Sequence, residues 1–219
     1  MFNECSNLIS APNVLPAQTL KKYCYSYMFS NTKITKTPLI LATTLDYESC
    51  GRMFSSCHSL SSVCPLNATQ LAERCYIYMF YDCGALTAMP DLPATTLAAS
   101  CYYGMVRGCT SLTKACSLPA TILADNCYQA MFMGCTSLTA APDLPAATLV
   151  SNCYNSMFSG CSLLSRIKCM ATDISAASCT KDWVTNVSSS GTFIKHPAMS
   201  GWATGTAGIP AGWAVQSVY

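Results

Sequence analysis

Apolar residues return along this chain at a nearly fixed interval. A methionine, in most copies followed by phenylalanine, recurs at an interval of about 26 residues, and a leucine follows most of these methionines by seven residues. The methionines are Met1, Met28, Met53, Met79, Met105, Met131 and Met157. The leucines are Leu60, Leu86, Leu112, Leu138 and Leu164. Seven copies of one repeat therefore cover residues 1–182, which predicts a stack of similar coils.

A period near 26 limits what one coil can contain. It is too short for a pair of helices and too long for a hexapeptide coil, so it predicts one strand and one turn-rich return per coil. Prolines and β-branched threonines in the copies disfavour a long helix. We expect the phrases SLTKA, SLTAA and ALTAM to form short strands that stack about 4.8 Å apart. The predicted fold is an α/β-type solenoid, a right-handed superhelix with a short parallel β-sheet on one face and little regular helix.

The C-terminal segment departs from the repeat. Trp183 stands one repeat interval after Met157, where the next methionine is due, and the period then ends. We predict that residues 183–219 form a capping segment that closes the last coil of the array. Phe193 and Ile194, beside the phrase SSSG, indicate a short hairpin within that segment.

Cysteine occupies two columns of the repeat. One column lies four residues after most methionines, with Asn31 in the vacant place, and the other lies four residues before the next methionine, with Ser49 in the vacant place. The first column is Cys5, Cys57, Cys83, Cys109, Cys135 and Cys161. The second column is Cys24, Cys75, Cys101, Cys127, Cys153 and Cys179. Since cysteine is among the most buried residue types, we expect both columns to lie in the core.

Three interpretations of these columns are open. They are ladders of free thiols that fill narrow core positions, or disulfides between adjacent coils, or ligands of a metal cluster. Stacked coils place equivalent Cα atoms about 5 Å apart, but their parallel Cβ vectors suit a disulfide poorly. The chain has no Cys-x-x-Cys motif, which disfavours a metal cluster. The cysteines outside the columns, which we expect to be more reactive, are Cys50, Cys64, Cys116 and Cys169.

Composition and charge narrow the function classes. The net charge is +2, only 10% of residues are charged, and the 12 basic residues are spread along the chain, so nucleic acid is not an expected partner. A membrane-spanning helix needs about 20 consecutive apolar residues, and no apolar run in this chain comes near that length. The two histidines lie in unlike contexts and no catalytic motif recurs. We therefore expect a non-enzyme that needs no cofactor or metal.

The repeat consensus MFxGCTSLTxAPxLPATTL resembles that of the BspA-like leucine-rich-repeat proteins of anaerobic gut and oral bacteria. It is similar, more loosely, to the 26-residue repeats of bacterial surface lipoproteins. The resemblance covers the whole repeat array, and the tail resembles the closing segment of such arrays. It implies a leucine-rich-repeat-like solenoid on a cell-surface or secreted bacterial protein that serves adhesion or recognition. It implies a class of role and no particular ligand.

Two sets of residues are candidates for a binding face. Solenoids form recognition surfaces from positions that vary on a fixed backbone, and such positions flank the strand leucine and the Pro-Asp-Leu-Pro phrase. The candidates there are Lys36, Lys114, Arg166, Asp91 and Asp143. The second set is a tyrosine that directly follows most cysteines of the second column, namely Tyr76, Tyr102, Tyr128 and Tyr154. An exposed row of these rings would stack against sugars, whereas a packed row would cover the edge of each coil.

Two functions from different classes fit these patterns. The first is a non-catalytic recognition or adhesion module that binds a protein or glycan through its solenoid face at the cell surface or after secretion. The second is a structural spacer or the distal domain of a phage or cell-surface fibre, in which case the chain belongs to a virion or a surface fibre. Because Met1 and Phe2 occupy the Met-Phe position of the repeat, we expect the chain to be part of a longer polypeptide.

A count of free thiols separates the interpretations of the cysteine columns. If both columns are ladders, alkylation of the denatured, unreduced protein should label all sixteen cysteines, and reductant should leave the melting temperature unchanged. Mass spectrometry of the alkylated chain gives the count. If the twelve column cysteines are bridged, the count falls to about four and reductant lowers the stability strongly.

Overall fold

The chain is a parallel β-solenoid of about eight turns in the computed structural model, which describes residues 1–218. Its six strands are β1 (Val14–Leu15), β2 (Leu39–Ile40), β3 (Ala140–Leu144), β4 (Arg166–Cys169), β5 (Thr192–Lys195) and β6 (Ala214–Ser217). β1 pairs with β2, and β3 to β6 form a second sheet in chain order, with every pairing parallel. Further isolated bridges, such as Ala88 to Lys114, also join residues about one repeat apart. The predicted solenoid is therefore confirmed.

Of the three phrases predicted to form strands, ALTAM and SLTKA contain only an isolated bridge between Ala88 and Lys114, and the strand near SLTAA lies further along the repeat. The phrase SLTAA covers residues 137–141, but β3 begins only at Ala140. The segment before it still turns, because the amide of Leu138 donates to the carbonyl of Cys135 at 3.1 Å and directs the leucine into the core. The register shifts between Ala140 and Asp143, where Pro142 has no amide to donate.

The helical part of the α/β-type description is not seen, since residues 1–218 contain no helix. Opposite the sheet, the chain instead makes a run of turns in which every fourth residue has a left-handed backbone. In one coil these residues are Arg74, Tyr78 and Asp82, with φ values of 59°, 52° and 58°. The same three positions are left-handed in seven consecutive coils. A right-handed helix cannot pass through such residues, because it requires negative φ throughout.

These turns satisfy their backbone groups in two alternating ways. The amide of Ile77 donates to the carbonyl of Arg74 at 3.0 Å, within its own coil. The amide of its neighbour Tyr76 instead donates to the carbonyl of Cys101 at 3.0 Å, and that of Tyr78 to Tyr103 at 2.8 Å, in the next coil. A buried peptide group without a partner is costly, so this alternation lets an irregular segment pack in the interior. We call this arrangement the turn ladder.

The turn ladder directs two residues inward and then two outward. In one coil the inward residues are Cys75, Tyr76, Met79, Phe80 and Cys83, all almost fully buried. Successive coils place equivalent side chains on top of one another. The rings of Phe54 and Phe80 are 5.5 Å apart and those of Tyr76 and Tyr102 are 5.9 Å apart, in both cases nearly parallel. Columns of identical side chains therefore form one continuous core.

All sixteen cysteines are free thiols, and ten of the twelve in the two columns are buried. Cys5 and Cys24, both in the first coil, are exposed. The first column has a specific role, since the Cys83 thiol donates to the carbonyl of Phe54 in the preceding coil at 3.1 Å. Four other cysteines repeat this bond, namely Cys57, Cys109, Cys135 and Cys161. A small side chain with a weak donor thus fits this position.

One sequence assignment within the columns is wrong. Thr32, and not Asn31, occupies the vacant cysteine place, because Thr32 is buried and its hydroxyl donates to the carbonyl of Phe29 at 2.9 Å. Asn31 is exposed and lies at a left-handed position of the turn ladder, with a φ of 57°. The error arose because this coil is slightly shorter than the usual repeat.

Three of the four cysteines outside the columns are also not the accessible thiols that the sequence predicts. Cys50 stands in the tyrosine column, directly below Tyr76, and is fully buried. Cys169, at the end of β4, and Cys116, two residues after the bridge at Lys114, are buried as well. Only Cys64 of this set is partly exposed. Burial raises the pKa of Cys116 and Cys169 to about 12, so these thiols stay protonated and unreactive at neutral pH.

The C-terminal segment continues the sheet without a hairpin. Phe193 and Ile194 lie in β5, which pairs in parallel with β4 on one side and β6 on the other. The predicted hairpin is therefore wrong, because the next partner strand comes from a further coil and not from a tight turn. Trp183 fills the methionine position, stacks on Trp202 at 5.5 Å and donates from its indole nitrogen to the carbonyl of Gly208 at 2.8 Å. The domain boundary at residue 182 stays a prediction.

Alkaline pH should unfold the protein, because burial raises the pKa of column thiols such as Cys109 and Cys161 from 9.0 to about 12. Above pH 9 the unfolded chain ionises first and binds fewer protons, so stability present below pH 9 is lost as the pH rises towards 12. Each buried thiol lowers the free energy of unfolding by about 1.4 kcal/mol per pH unit. Denaturant titrations between pH 7 and 11 measure this slope. The Cys109→Ala variant should reduce the slope by one thiol's share, and a flat profile would contradict thiol burial.

Two neighbouring exposed residues test the turn ladder. Ser178 has a φ of 54°, whereas Ala177 beside it does not have positive φ. Glycine adopts left-handed backbone without strain but loses more entropy on folding, so Ser178→Gly should favour folding relative to Ala177→Gly by about 1 kcal/mol. Urea denaturation of the two variants gives the difference. Equal stability of the two variants would mean that the left-handed positions carry no strain.

Candidate functional site

Outward residues of the turn ladder differ sharply between the two halves of the array. At one left-handed position the successive coils carry Tyr27, Arg52 and Tyr78, and the later coils carry Gly104, Ala130 and Ser156. The large residues at this position lie on the outside of the solenoid together with Tyr81, and with Tyr103 and Arg107 of the coil that contains Gly104. We call them the arginine–tyrosine surface, which consists of Tyr27, Arg52, Tyr78, Tyr81, Tyr103 and Arg107.

Tyr78 is the centre of the arginine–tyrosine surface. The guanidinium carbon of Arg52 lies 4.8 Å from the centroid of the Tyr78 ring, and 5.5 Å from that of Tyr27. The rings of Tyr81 and Tyr103 meet Tyr78 edge-on, with centroids 5.6 and 5.1 Å away. Cation–π and edge-to-face contacts of this kind fix the orientation of the side chains before any ligand binds.

Glycine in the next coil provides the space on which Tyr78 lies. Gly104 has a φ of +57°, and a Cβ atom there would collide with the Tyr78 ring. The absence of a side chain at Gly104 therefore lets the ring lie flat across the boundary between two coils. The sequence analysis did not single out Gly104, although a lone glycine in a column of larger residues was a usable signal.

A second group of cations and rings extends the surface towards the first coil. Arg74 donates from Nη1 to the hydroxyl of Tyr47 at 2.9 Å. The Lys22 ammonium lies 4.8 Å from the Tyr47 ring centroid and 5.2 Å from that of Tyr23. Tyr23 is about half exposed, with 49% of its surface open to solvent. Basic and aromatic groups therefore alternate along this side of the first coils.

The charges of these cations are balanced to different degrees. Arg52 pairs with Glu48 at 3.5 Å, and Arg74 pairs with Glu73 at 3.7 Å. None of the ion pairs among residues 1–218 involves Arg107, whose guanidinium carbon lies 5.9 Å from the Tyr81 ring centroid. Of the two arginines that define the arginine–tyrosine surface, Arg107 is therefore the one without a carboxylate partner in these ion pairs.

The phenol of Tyr78 remains neutral over the physiological range. Burial and the hydrogen bond with Tyr103 raise the pKa of Tyr78 to about 12, although the charges of Arg107 and Arg52 oppose the rise. A neutral phenol can both donate and accept a hydrogen bond. The surface therefore combines fixed guanidinium charges with the neutral hydroxyl of Tyr78.

Two shallow depressions cross this surface. One has a volume of about 270 Å³ and is lined by Arg52, Tyr78, Tyr81 and Arg107. The other, of about 400 Å³, continues on the opposite side of Tyr78, past Tyr103 to Arg74. Both are open to solvent, so together they form an elongated groove across several coils.

The predicted tyrosine row is not a binding face. The four tyrosines, Tyr76, Tyr102, Tyr128 and Tyr154, are each 1–2% exposed and stack on one another inside the solenoid. The turn ladder directs the residue after each column cysteine inward, and not towards an outer edge of the coil. The hydroxyl of Tyr102 is buried and has no hydrogen-bond partner. Tyr27 and Tyr78, two positions after Tyr25 and Tyr76, point outward instead.

Of the charged candidates on the sheet side, Asp143 and Arg166 are in contact, and Asp91 and Lys114 lie in a groove beside Asp143. Asp143 forms ion pairs with Arg166 at 3.4 Å and with Lys168 at 2.8 Å. Partial burial alone would raise the pKa of Asp143, but the hydrogen bond and charge of Lys168, together with Arg166, lower it. Asp91 and Lys114 line a groove of about 450 Å³ that also reaches Asp143.

Lys36 lies apart from the other sheet-side candidates. It lines a separate groove of about 590 Å³ in the first coils, together with Ile9 and Val14. The sequence grouped Lys36 with Lys114 and Arg166 by repeat position, and several coils separate it from them.

Within residues 1–218, no three or more His, Cys, Asp or Glu side chains are grouped so that they could hold a metal ion. The same residues include no helix with the length and apolarity that a membrane span requires. Comparison of the chain with protein-family models, with curated proteins and with solved structures finds no match.

Proposed function

We propose that this chain is a non-catalytic recognition or adhesion module that binds a protein or glycan through the arginine–tyrosine surface. We further propose a leucine-rich-repeat-like, BspA-like solenoid displayed on a bacterial cell surface or secreted. The observation that carries the proposal is the cluster of large basic and aromatic residues on one side of the coils from Tyr27 to Arg107. The same positions of the later coils carry Gly104, Ala130 and Ser156.

The composition of this surface supports a binding role over a purely structural one. Tyrosine and arginine are enriched at binding hot spots, because they bring large contact area with little conformational freedom to lose. Tyr27 and Tyr81 leave 42% and 36% of their surfaces in solvent. Neither side chain is needed to fill the core, which the Met, Phe and Cys columns already occupy.

The leucine-rich-repeat-like description is supported by the leucine column and by the parallel pairing of strands. Leu86, Leu112 and Leu138 are completely buried, one in each of three successive coils. Strands of neighbouring coils pair in parallel in two sheets, and isolated parallel bridges such as Ala88 to Lys114 join the coils between those sheets. A fixed period with one parallel strand per coil is the arrangement on which leucine-rich repeats are built.

The uniformity of the later coils favours a second candidate function, a spacer or distal domain of a fibre. Gly108, Gly134 and Gly160 occupy one outward column, and successive glycines there lie in contact. At this position such coils present no side chains that a binding partner could contact. On this proposal the array sets a length, and the chain belongs to a surface fibre or a virion.

Replacing the large residues with those of the last full coil tests the recognition role. Arg52→Ser, Tyr78→Ser and Tyr81→Ser copy Ser156 and Ser159, which the same backbone accepts. The probes are an array of neutral, carboxylated and sulfated glycans and a set of purified extracellular-matrix proteins. The wild-type chain should bind at least one probe saturably, and the triple variant should weaken that binding about tenfold or more.

A sheet-side variant is the control for this experiment. Lys114→Ser combined with Arg166→Ser removes two cations from the other side of the solenoid and should change the affinity less than about twofold. Melting temperatures of all variants show whether the solenoid is intact. Absence of saturable binding, or equal binding by the wild-type and triple-variant chains, would contradict the recognition role and favour the spacer.

A further inference from the structure

We propose that the arginine–tyrosine surface binds an anionic polysaccharide, a chain of sugar rings that carry sulfate or carboxylate groups, and that Arg52 and Arg107 hold its anions. This inference names the ligand class of the proposed recognition surface and rests on that proposal. It is carried by the placement of the two guanidinium groups on either side of Tyr78 and Tyr81 in one depression.

The two arginines are spaced along the solenoid axis. Arg52, Tyr78 and Gly104 hold the same position in three successive coils, and Arg107 belongs to the turn ladder of Gly104. Two coil spacings amount to about 10 Å on the usual separation of paired strands. This is a backbone spacing, and both side chains reach towards the rings of the coil between them, Arg52 to Tyr78 at 4.8 Å and Arg107 to Tyr81 at 5.9 Å. Two cations beside the rings of one coil suit anions on adjacent sugars of one extended chain.

The charges favour an anion at this place. Arg107 takes no part in the ion pairs of residues 1–218, and Arg52 has a single carboxylate partner, Glu48. A guanidinium group offers a planar fork of donors that matches the paired oxygens of a carboxylate or sulfate. Half-buried guanidinium groups that are already oriented by tyrosine rings lose little freedom when an anion arrives.

The tyrosines between the arginines suit sugar rings. Tyr81 is exposed, and its ring stands at 88° to that of Tyr78, so the two rings present a face and an edge to the same depression. Sugar rings carry C–H groups on their faces and hydroxyls at their edges, which pack on aromatic rings and bond phenols respectively. The neutral phenol of Tyr78 supplies such a partner.

The backbone amides of this surface are already hydrogen-bonded and cannot pair with an extended peptide. The amide of Tyr78 already donates to Tyr103 at 2.8 Å, and the amide of Asp82 donates to Arg107 at 2.8 Å. A peptide that adds to a sheet edge needs free amide and carbonyl groups, so side-chain contacts alone must hold the ligand here.

A nucleic acid is also a poor match for this surface. Glu48 and Glu73 lie beside the cations, and the whole chain has a net charge of only +2. Binding to a phosphate backbone relies on many uncompensated cations. A polysaccharide with spaced anions requires fewer of them.

Titration of the whole chain with defined oligosaccharides tests this inference. The probes are a heparin-derived oligosaccharide, the same chain after desulfation and carboxyl reduction, oligogalacturonate, and single-stranded oligothymidylate. The heparin-derived chain or oligogalacturonate should bind, and the neutralised chain should not. Arg52→Ser with Arg107→Ser should weaken the binding about tenfold to a hundredfold, because each lost contact is a charge-assisted hydrogen bond.

Two further variants separate this site from general electrostatic attraction. Arg166→Ser with Lys168→Ser removes the same charge from the sheet side and should change the affinity less than about twofold. Arg52→Lys with Arg107→Lys keeps the charge but removes the planar fork, so its affinity should fall between those of the wild type and the serine variant. Melting curves and thiol counts confirm that each variant is folded.

The outcomes that overturn this inference differ from those that overturn the proposed function. Equal weakening by the two serine double variants, or oligothymidylate binding as strong as that of the sugars, would overturn the polysaccharide site. If Tyr81→Ser abolishes binding of a neutral glycan or a matrix protein but Arg52→Ser with Arg107→Ser does not, the recognition surface stands and the anionic ligand falls. If no glycan or matrix protein binds the wild-type chain, both proposals fall.

Discussion

Backbone hydrogen bonding from coil to coil, through the turn ladder, is the constraint on which this structure depends. Because alternate amides bond within a coil and to the next coil, a segment with neither helix nor strand can cross the interior fully satisfied. The cost is a left-handed residue at every fourth position. The inward pairs of successive coils come into register as a result, and the Phe, Tyr, Met and Cys columns follow from that register. The free thiols of the first cysteine column add further hydrogen bonds between coils, since they donate to carbonyls of the preceding coil.

Period and parallel stacking could be predicted from the sequence, since a fixed interval of Met, Leu and Cys leaves few alternatives. The path within a coil could not be predicted from that interval alone. The sequence nevertheless contains an indication of this path. Apolar pairs such as Cys75–Tyr76 and Met79–Phe80 recur every four residues, the same interval as the left-handed residues of the turns. Neither a helix nor a strand has a four-residue period. The sequence therefore suggested that the tyrosine of each pair lies at the outer edge of its coil. The same omission concealed the outward position of Tyr78.

The candidate site shows how a regular scaffold accommodates an irregular surface. The left-handed outward positions carry arginine and tyrosine in some coils and glycine, alanine or serine in others, while the inward residues hardly change. Arg52 and Tyr78 therefore do not pack in the core, and the missing side chain at Gly104 leaves room for the Tyr78 ring. Sequence alone could identify which positions vary but not which of them meet, because the contacts join residues in different coils. Lys36 and Lys114 share a repeat position and lie far apart, whereas Arg52 and Arg107 do not share one and line the same depression.

The direction of the inter-coil hydrogen bonds has a mechanical consequence. These bonds run along the axis of the solenoid, so a force that pulls on its two ends loads them in tension, a few at a time. Each coil that detaches releases about 90 Å of chain, given about 26 residues at their extended length. Because one coil contacts only its neighbours, the rest of the stack keeps its structure while the end coil peels away. Under tension the array would therefore lengthen in steps and dissipate energy at each one, as a shock absorber does.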